Sequence, residues 1–147
     1  MDHRTSYWGR WWNVQLKREF MKDKINIFWF RRDLRLDDNV GLYQALQDDV
    51  PVLPIFIFDT EILENLPKND ARVTFIHEQL QKLNNQLGAN HDSGIAQFYD
   101  TPKKVFKQLL KDYKMEAVYT NHDYEPYAKK RDGEIKLFLE ENTNWSD

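Results

Sequence analysis

The chain has 147 residues, 31% of them charged and 41% apolar, with a formal net charge of −3; that is one domain of ordinary size, able to bury about 70% of the surface its unfolded chain exposes. Cysteine is absent, which excludes disulfides, thiolate metal sites and Cys nucleophiles and fits a reducing compartment. Charge is uneven: residues 1–24 carry six Lys/Arg against three Asp/Glu, whereas residues 25–147 carry fifteen against twenty-one, and an acidic body is a poor platform for gripping a phosphate backbone.

In chain order, residues 1–24, MDHRTSYWGRWWNVQLKREFMKDK, read as an extension of unknown role. WNVQLKREFM within it is compatible with a short amphipathic helix carrying Trp12, Leu16 and Phe20 on one face. The extension has no apolar h-region. The longest uncharged apolar run, VPVLPIFIF at 50–58, is too short to span a bilayer and holds two prolines. A cytoplasmic protein without membrane contact is expected.

From residue 25 the pattern alternates. INIFWF (25–30) is a continuous apolar run of the kind a buried strand shows. Asp37 or Asp38 then offers a cap for a helix over NVGLYQALQD. PVLPIFIF (51–58) is a second buried strand with its prolines near the start. Asn69 or Asp70 opens a long helix, ARVTFIHEQLQKLNNQL, whose Val73, Ile76, Leu80, Leu83 and Leu87 follow three- and four-residue spacing. Gly88 stands where a C-cap glycine would. IAQFY (95–99) is a third strand, and Thr101 with Pro102 opens a helix over KKVFKQLLKDY. EAVYT (116–120) is a fourth strand, followed by a helix over about 127–141. Strands alternating with helices predict an α/β fold, a doubly wound, Rossmann-like parallel sheet flanked by helices. In such a sheet ligands bind beyond the carboxyl ends of the strands, so RRDLRLDDN, DTEILENLPKNDAR, YDTP and NHDYEPYAKKRD are the segments of interest.

Several chemistries find no support. The five glycines form neither GxGxxG after the first strand nor a P-loop. His3, His77, His91 and His122 lack metal-ligand spacing and read as surface or core residues. No serine has a GxSxG context. What remains is charge. In RRDLRLDDN, Arg31, Arg32 and Arg35 are matched by Asp33, Asp37 and Asp38, which describes an internally neutralised turn as well as a ligand border. In NHDYEPYAKKRD, Asp123 and Glu125 suit hydrogen bonds to a ligand, and equally the positive end of the following helix.

Taken together and in order, FWFRRDLRLDDN after strand one, IFIFD after strand two, DARVTFIHEQL opening the long helix, and NHDYEPYAKKRD after a later strand resemble the amino-terminal domain of the DNA photolyase/cryptochrome family. The resemblance covers about residues 25–141. It implies a two-domain flavoprotein that uses blue light to split pyrimidine dimers, with FAD and damaged DNA held by a carboxyl-terminal helical domain that this sequence lacks. The domain present would carry an antenna chromophore that passes excitation to the flavin, so no catalysis is expected of it alone. Signalling cryptochromes share the pattern, and a stand-alone nucleotide-binding α/β domain is the alternative from another class.

The resemblance also suggests the antenna. Members that bind a reduced folate have an Asn-Glu pair where this chain has Tyr127 and Ala128; its DYEPY form is more similar to members that bind a deazaflavin or FMN. On that pattern Asp123 and Glu125 bond the chromophore, and Ile57, Phe58 and Asp59 line one wall. Lys68 and Arg72 stand at the start of the long helix, where a phosphate tail would suit the helix N-terminus. Arg31 borders the pocket, and the charged loop after strand one is expected to be scaffold rather than catalyst.

Overall fold

The computed structural model describes residues 24–146 apart from Arg32, Asp33, Asp49, Lys68, Asp92, 122–125, Asn142 and Thr143. All but Lys24 of the expected extension therefore lies outside the described residues. Five strands, β1 (Lys24–Phe30), β2 (Val52–Phe58), β3 (Ala96–Tyr99), β4 (Lys114–Thr120) and β5 (Asn144–Ser146), form one sheet. Its order is β3-β2-β1-β4-β5, and every pairing is parallel. The intervening helices are α1 (Val40–Leu46), α2 (Thr60–Leu63), α3 (Ala71–His91), α4 (Pro102–Asp112) and α5 (Pro126–Glu140). The expected α/β fold is present, with a fifth, three-residue edge strand that the sequence pattern did not reveal.

Strand alternation divides the core in two. On β1, Ile25, Ile27 and Trp29 face one way, and with Leu53, Ile55 and Ile57 of β2 they pack against Val105, Phe106 and Leu109 of α4 and Ile135 and Leu139 of α5. Phe28 and Phe30, with Val52, Phe56 and Phe58, face the other way onto Leu42, Ala45 and Leu46 of α1 and Leu80, Leu83 and Leu87 of α3. Because both faces are covered, β1 and β2 need apolar residues at nearly every position, which is why they read as continuous runs. Burying each such side chain is worth about 1.5–3 kcal/mol. Pro54 lies inside β2, but pairing with β3 starts only at Ile55, so one neighbouring ladder rather than two meets the missing N–H.

Two expected boundaries are corrected. Gly88 does not end the long helix, which continues to His91. The Ser93 N–H returns to the Leu87 carbonyl at 3.1 Å, closing the helix end without a glycine in the left-handed region at 88. Neither Asp37 nor Asp38 caps α1. Asn39 does, its side chain accepting from the Leu42 N–H at 3.1 Å, while Asp38 takes a turn conformation with φ of 52°. An amide suits position 39 because it donates as well, Nδ2 reaching the Arg35 carbonyl at 3.1 Å; a carboxylate has no hydrogen to offer there.

Candidate functional site

The strand order reverses between β1 and β4, so the switch-point crevice opens beyond Phe30 and Thr120. Two sets of hydrogen bonds lie there. Thr120 Oγ1 donates to the Trp29 carbonyl at 2.9 Å, tying the two strand ends together inside the core. The next residue, Asn121, accepts from the Gly41 N–H at 2.9 Å and donates to Asn39 Oδ1 at 2.7 Å. The exit of β4 is thus bonded to the first turn of α1. Gly41 permits this approach: a Cβ there would lie 2.6 Å from Asn121 Oδ1 and 3.2 Å from Phe28, the first of which no side chain tolerates in place.

On the other face, Arg31 leaves β1 on the same side as Ile25, Ile27 and Trp29. Its guanidinium lies over the Trp29 indole, 4.1 Å from the ring centroid. It also makes a bidentate pair with Asp132 of α5, one arm at 2.6 Å. Both side chains are nearly buried, at 7% and 14% exposure. Arg31 therefore has a partner 101 residues away, outside RRDLRLDDN. Strand parity directs position 31 towards α5, and Asp37 and Asp38 are exposed. Arg32 and Asp33 lie outside the described residues.

Beyond β2, the site residues separate. Phe58 is buried and stacks on Tyr99 (centroids 4.4 Å apart, planes at 4°) and on His77 of α3 (4.7 Å, 22°). Tyr99 keeps 57% of its surface exposed, so the ends of β2 and β3 carry an open aromatic platform. Ile57 points through the opposite face into the α4 and α5 core, so Ile57 and Phe58 do not share a wall. Asp59 is buried and caps α2, accepting from the Glu61 N–H at 3.0 Å. Arg72 stands in the first turn of α3 with a largely exposed side chain bonded to Asp70 at 2.7 and 3.0 Å. This guanidinium, through its hydrogen bond, holds the Asp70 carboxyl down to a pKa of about 2. Lys68, Asp123 and Glu125 lie outside the described residues.

Sequence reading did not single out Tyr99, Asn121 or Asp132. Tyr99 ends a short strand and His77 sits on a helix, so neither had a local signal for stacking on Phe58. Asp132 is one acid within KKRDGE, and only the fold brings it to Arg31. Asn121 had a legible cue, a carboxamide immediately after the fourth strand.

Comparison with known proteins gives this geometry a lineage. The family model for DNA photolyase matches residues 26–146. The chain is 36% identical over 113 residues to the deoxyribodipyrimidine photo-lyase of a Synechococcus species, covering 77% of this chain and 23% of that protein. It is 31% identical over 121 residues to Drosophila melanogaster cryptochrome-1, covering 79% of this chain and 22% of the relative. The crystal structure of the archaeal photolyase from Sulfolobus tokodaii, which contains two FAD molecules, superposes with a TM-score of 0.73 at 35% identity. That match covers 82% of this chain and 28% of that one. The strand order, the ligand-end loops and these similarities agree: the chain belongs to the DNA photolyase family.

Proposed function

We propose that this chain is the amino-terminal, antenna-chromophore-binding domain of a light-driven DNA-repair photolyase. The reading rests on one observation above the others: the family's loop motifs occur in order on a parallel sheet at whose carboxyl edge Tyr99, backed by the buried Phe58, exposes a flat aromatic ring. A planar chromophore fits such a platform by offset stacking. Arg72, exposed at the start of the 21-residue α3, suits the phosphate tail of a flavin nucleotide. Phe58, Asp59, Lys68, Arg72, Asp123 and Glu125 are the proposed binding residues. Ile57 supports the wall from behind, and Arg31 borders the pocket.

When bound, the chromophore supplies light absorption and excitation transfer, and the chain's own residues bind and orient it. A deazaflavin or flavin fits better than a folate, because Tyr127 and Ala128 replace the Asn-Glu pair of folate-binding members. The second FAD of the Sulfolobus tokodaii photolyase, described there as a novel light-harvesting cofactor, adds FAD to FMN and deazaflavin as candidates. Catalytic FAD, damaged DNA and the helical domain that would hold them belong to a larger parent protein, with cytoplasmic location expected. Among the described residues no helix is long and apolar enough to cross a membrane.

The test is titration of the purified chain with FMN, FAD, an 8-hydroxydeazaflavin and a reduced folate, followed by fluorescence. Saturable binding of one flavin-type chromophore, weakened in the Asp123→Ala, Glu125→Ala double variant, is expected. Folate as the preferred ligand would overturn the choice of antenna, and no binding by any of the four would overturn the domain's proposed role.

A further inference from the structure

We propose that Asp132 is a positioning residue for chromophore binding, acting through Arg31; this rests on the antenna reading above. Asp132 lies on α5, the helix that follows β4, and Arg31 is the first residue beyond β1. The pair therefore clamps together the chain segments leaving the two strands that flank the switch point. Three features make it more than an incidental surface contact. The guanidinium is engaged by both carboxylate oxygens, a geometry that fixes angle as well as distance. It lies over the ring of Trp29, which itself meets Phe106 of α4 edge-on at 5.3 Å. Both charged side chains are withdrawn from water, so salt screens the pair little.

Arg31 is thereby committed to protein partners, and its contribution to the pocket is to hold the β1 exit in place. On the opposite face, the Asn121–Asn39–Gly41 network performs the corresponding task for the β4 exit. The crevice is braced from both layers of helices. A ligand end held by such braces presents its groups in one arrangement, which lowers the ordering cost of binding.

The experiment uses the whole chain, FMN as the probe and three variants. Asp132→Asn removes the charge and one acceptor. Arg31→Lys keeps the charge but cannot form the fork. Arg31→Met with Asp132→Leu replaces the buried pair by apolar groups, a change that commonly preserves folding. Dissociation constants are read by flavin fluorescence, together with the melting temperature and the vibronic structure of the bound flavin's absorption band. The expected result is FMN binding roughly tenfold or more weaker in all three, the scale on which partners that orient metal ligands act at metal sites. The band should also broaden, even in the Met/Leu variant that keeps its melting temperature. Wild-type affinity and band shape in that folded variant, or full recovery by Arg31→Lys, would overturn the proposal while leaving the antenna reading intact. Failure of the wild-type chain to bind any flavin would overturn both.

Discussion

Replacing Gly41 by alanine tests whether the α1–β4 junction is built as described. An added Cβ would stand 2.6 Å from Asn121 Oδ1 and 3.3 Å from its Cγ, with Phe28 at 3.2 Å. The Asn121 side chain must therefore withdraw. With it go the acceptor for the Gly41 N–H and the donor to Asn39 Oδ1, two hydrogen bonds worth about 1 kcal/mol each. Alanine is intrinsically the better helix residue by up to about 1 kcal/mol, but position 41 lies in the first turn, where that gain is only partly realised. The net expectation is destabilisation by about 1–2 kcal/mol, a fall in melting temperature of roughly 4–8 °C for a domain of this size.

The assay is urea unfolding followed by circular dichroism in a double-mutant cycle with Asn121→Ala. In the Asn121→Ala background the obstructing oxygen is gone, so Gly41→Ala should there be close to neutral, with only the Phe28 contact left to relax. A coupling of about 1 kcal/mol or more between the two sites is expected if the steric argument is correct. Equal effects of Gly41→Ala in both backgrounds would refute it, because the clash would then not be with Asn121.

Further expectations concern separate parts of the molecule. Asn39→Ala removes the α1 cap and the acceptor for the Asn121 amide, and should cost about 1–2 kcal/mol in equilibrium unfolding; Asn39→Asp keeps the cap but loses the donor to Arg35, so it should recover only part. Asp70 should titrate near pH 2 by carboxyl-carbon NMR, and in Arg72→Ala its midpoint should return towards the ordinary carboxylate range near 3.8. Because the folded-state value is depressed, the stabilisation this pair gives is present above the unfolded-state pKa and lost as pH falls through about 2; both groups being at the surface, neutral-pH stability should hardly change in Arg72→Ala. Tyr99→Ala removes an exposed ring stacked on Phe58: folding should weaken by about 0.5–1.5 kcal/mol, whereas flavin affinity should fall markedly, and unaltered affinity would exclude the platform from the site.

The layered fold was legible because parallel strands covered on both faces leave continuous apolar runs, as INIFWF and VLPIFIF do. β5 was not, since three residues, Asn144–Ser146, carry no period. The long helix was legible from its spacing: Leu80, Leu83 and Leu87 are buried, Val73 and Ile76 half-buried, and Phe75, which lies off that stripe, is 61% exposed. For Arg31 the sequence offers partners nearby, and Asp132 on α5 is not among them. Sequence proximity is a sound guide to ion pairs on helices, where residues three or four apart are neighbours. At a strand end it misses partners that the fold brings from far along the chain, as Asp132 is brought to Arg31.

That failure exposes a general ambiguity at the carboxyl edge of an α/β sheet. Ligands bind there, but each strand-to-helix connection also needs acceptors for the free N–H groups of the helix that follows. Asn39 and Asp59 meet that demand for α1 and α2, and Asp70 accepts from the Arg72 N–H at 2.8 Å at the start of α3. Asp132 answers a different demand, neutralising a buried guanidinium. A polar residue in these loops is therefore expected whether or not a ligand binds, and its presence alone does not separate the two roles. Exposure of an aromatic ring alone does not separate them either, since Tyr43 and Phe75 are as open to solvent as Tyr99. What distinguishes Tyr99 is its position, stacked flat on the buried Phe58 at the ends of β2 and β3 where no helix terminus requires it, and the Tyr99→Ala measurement decides whether that position serves a ligand.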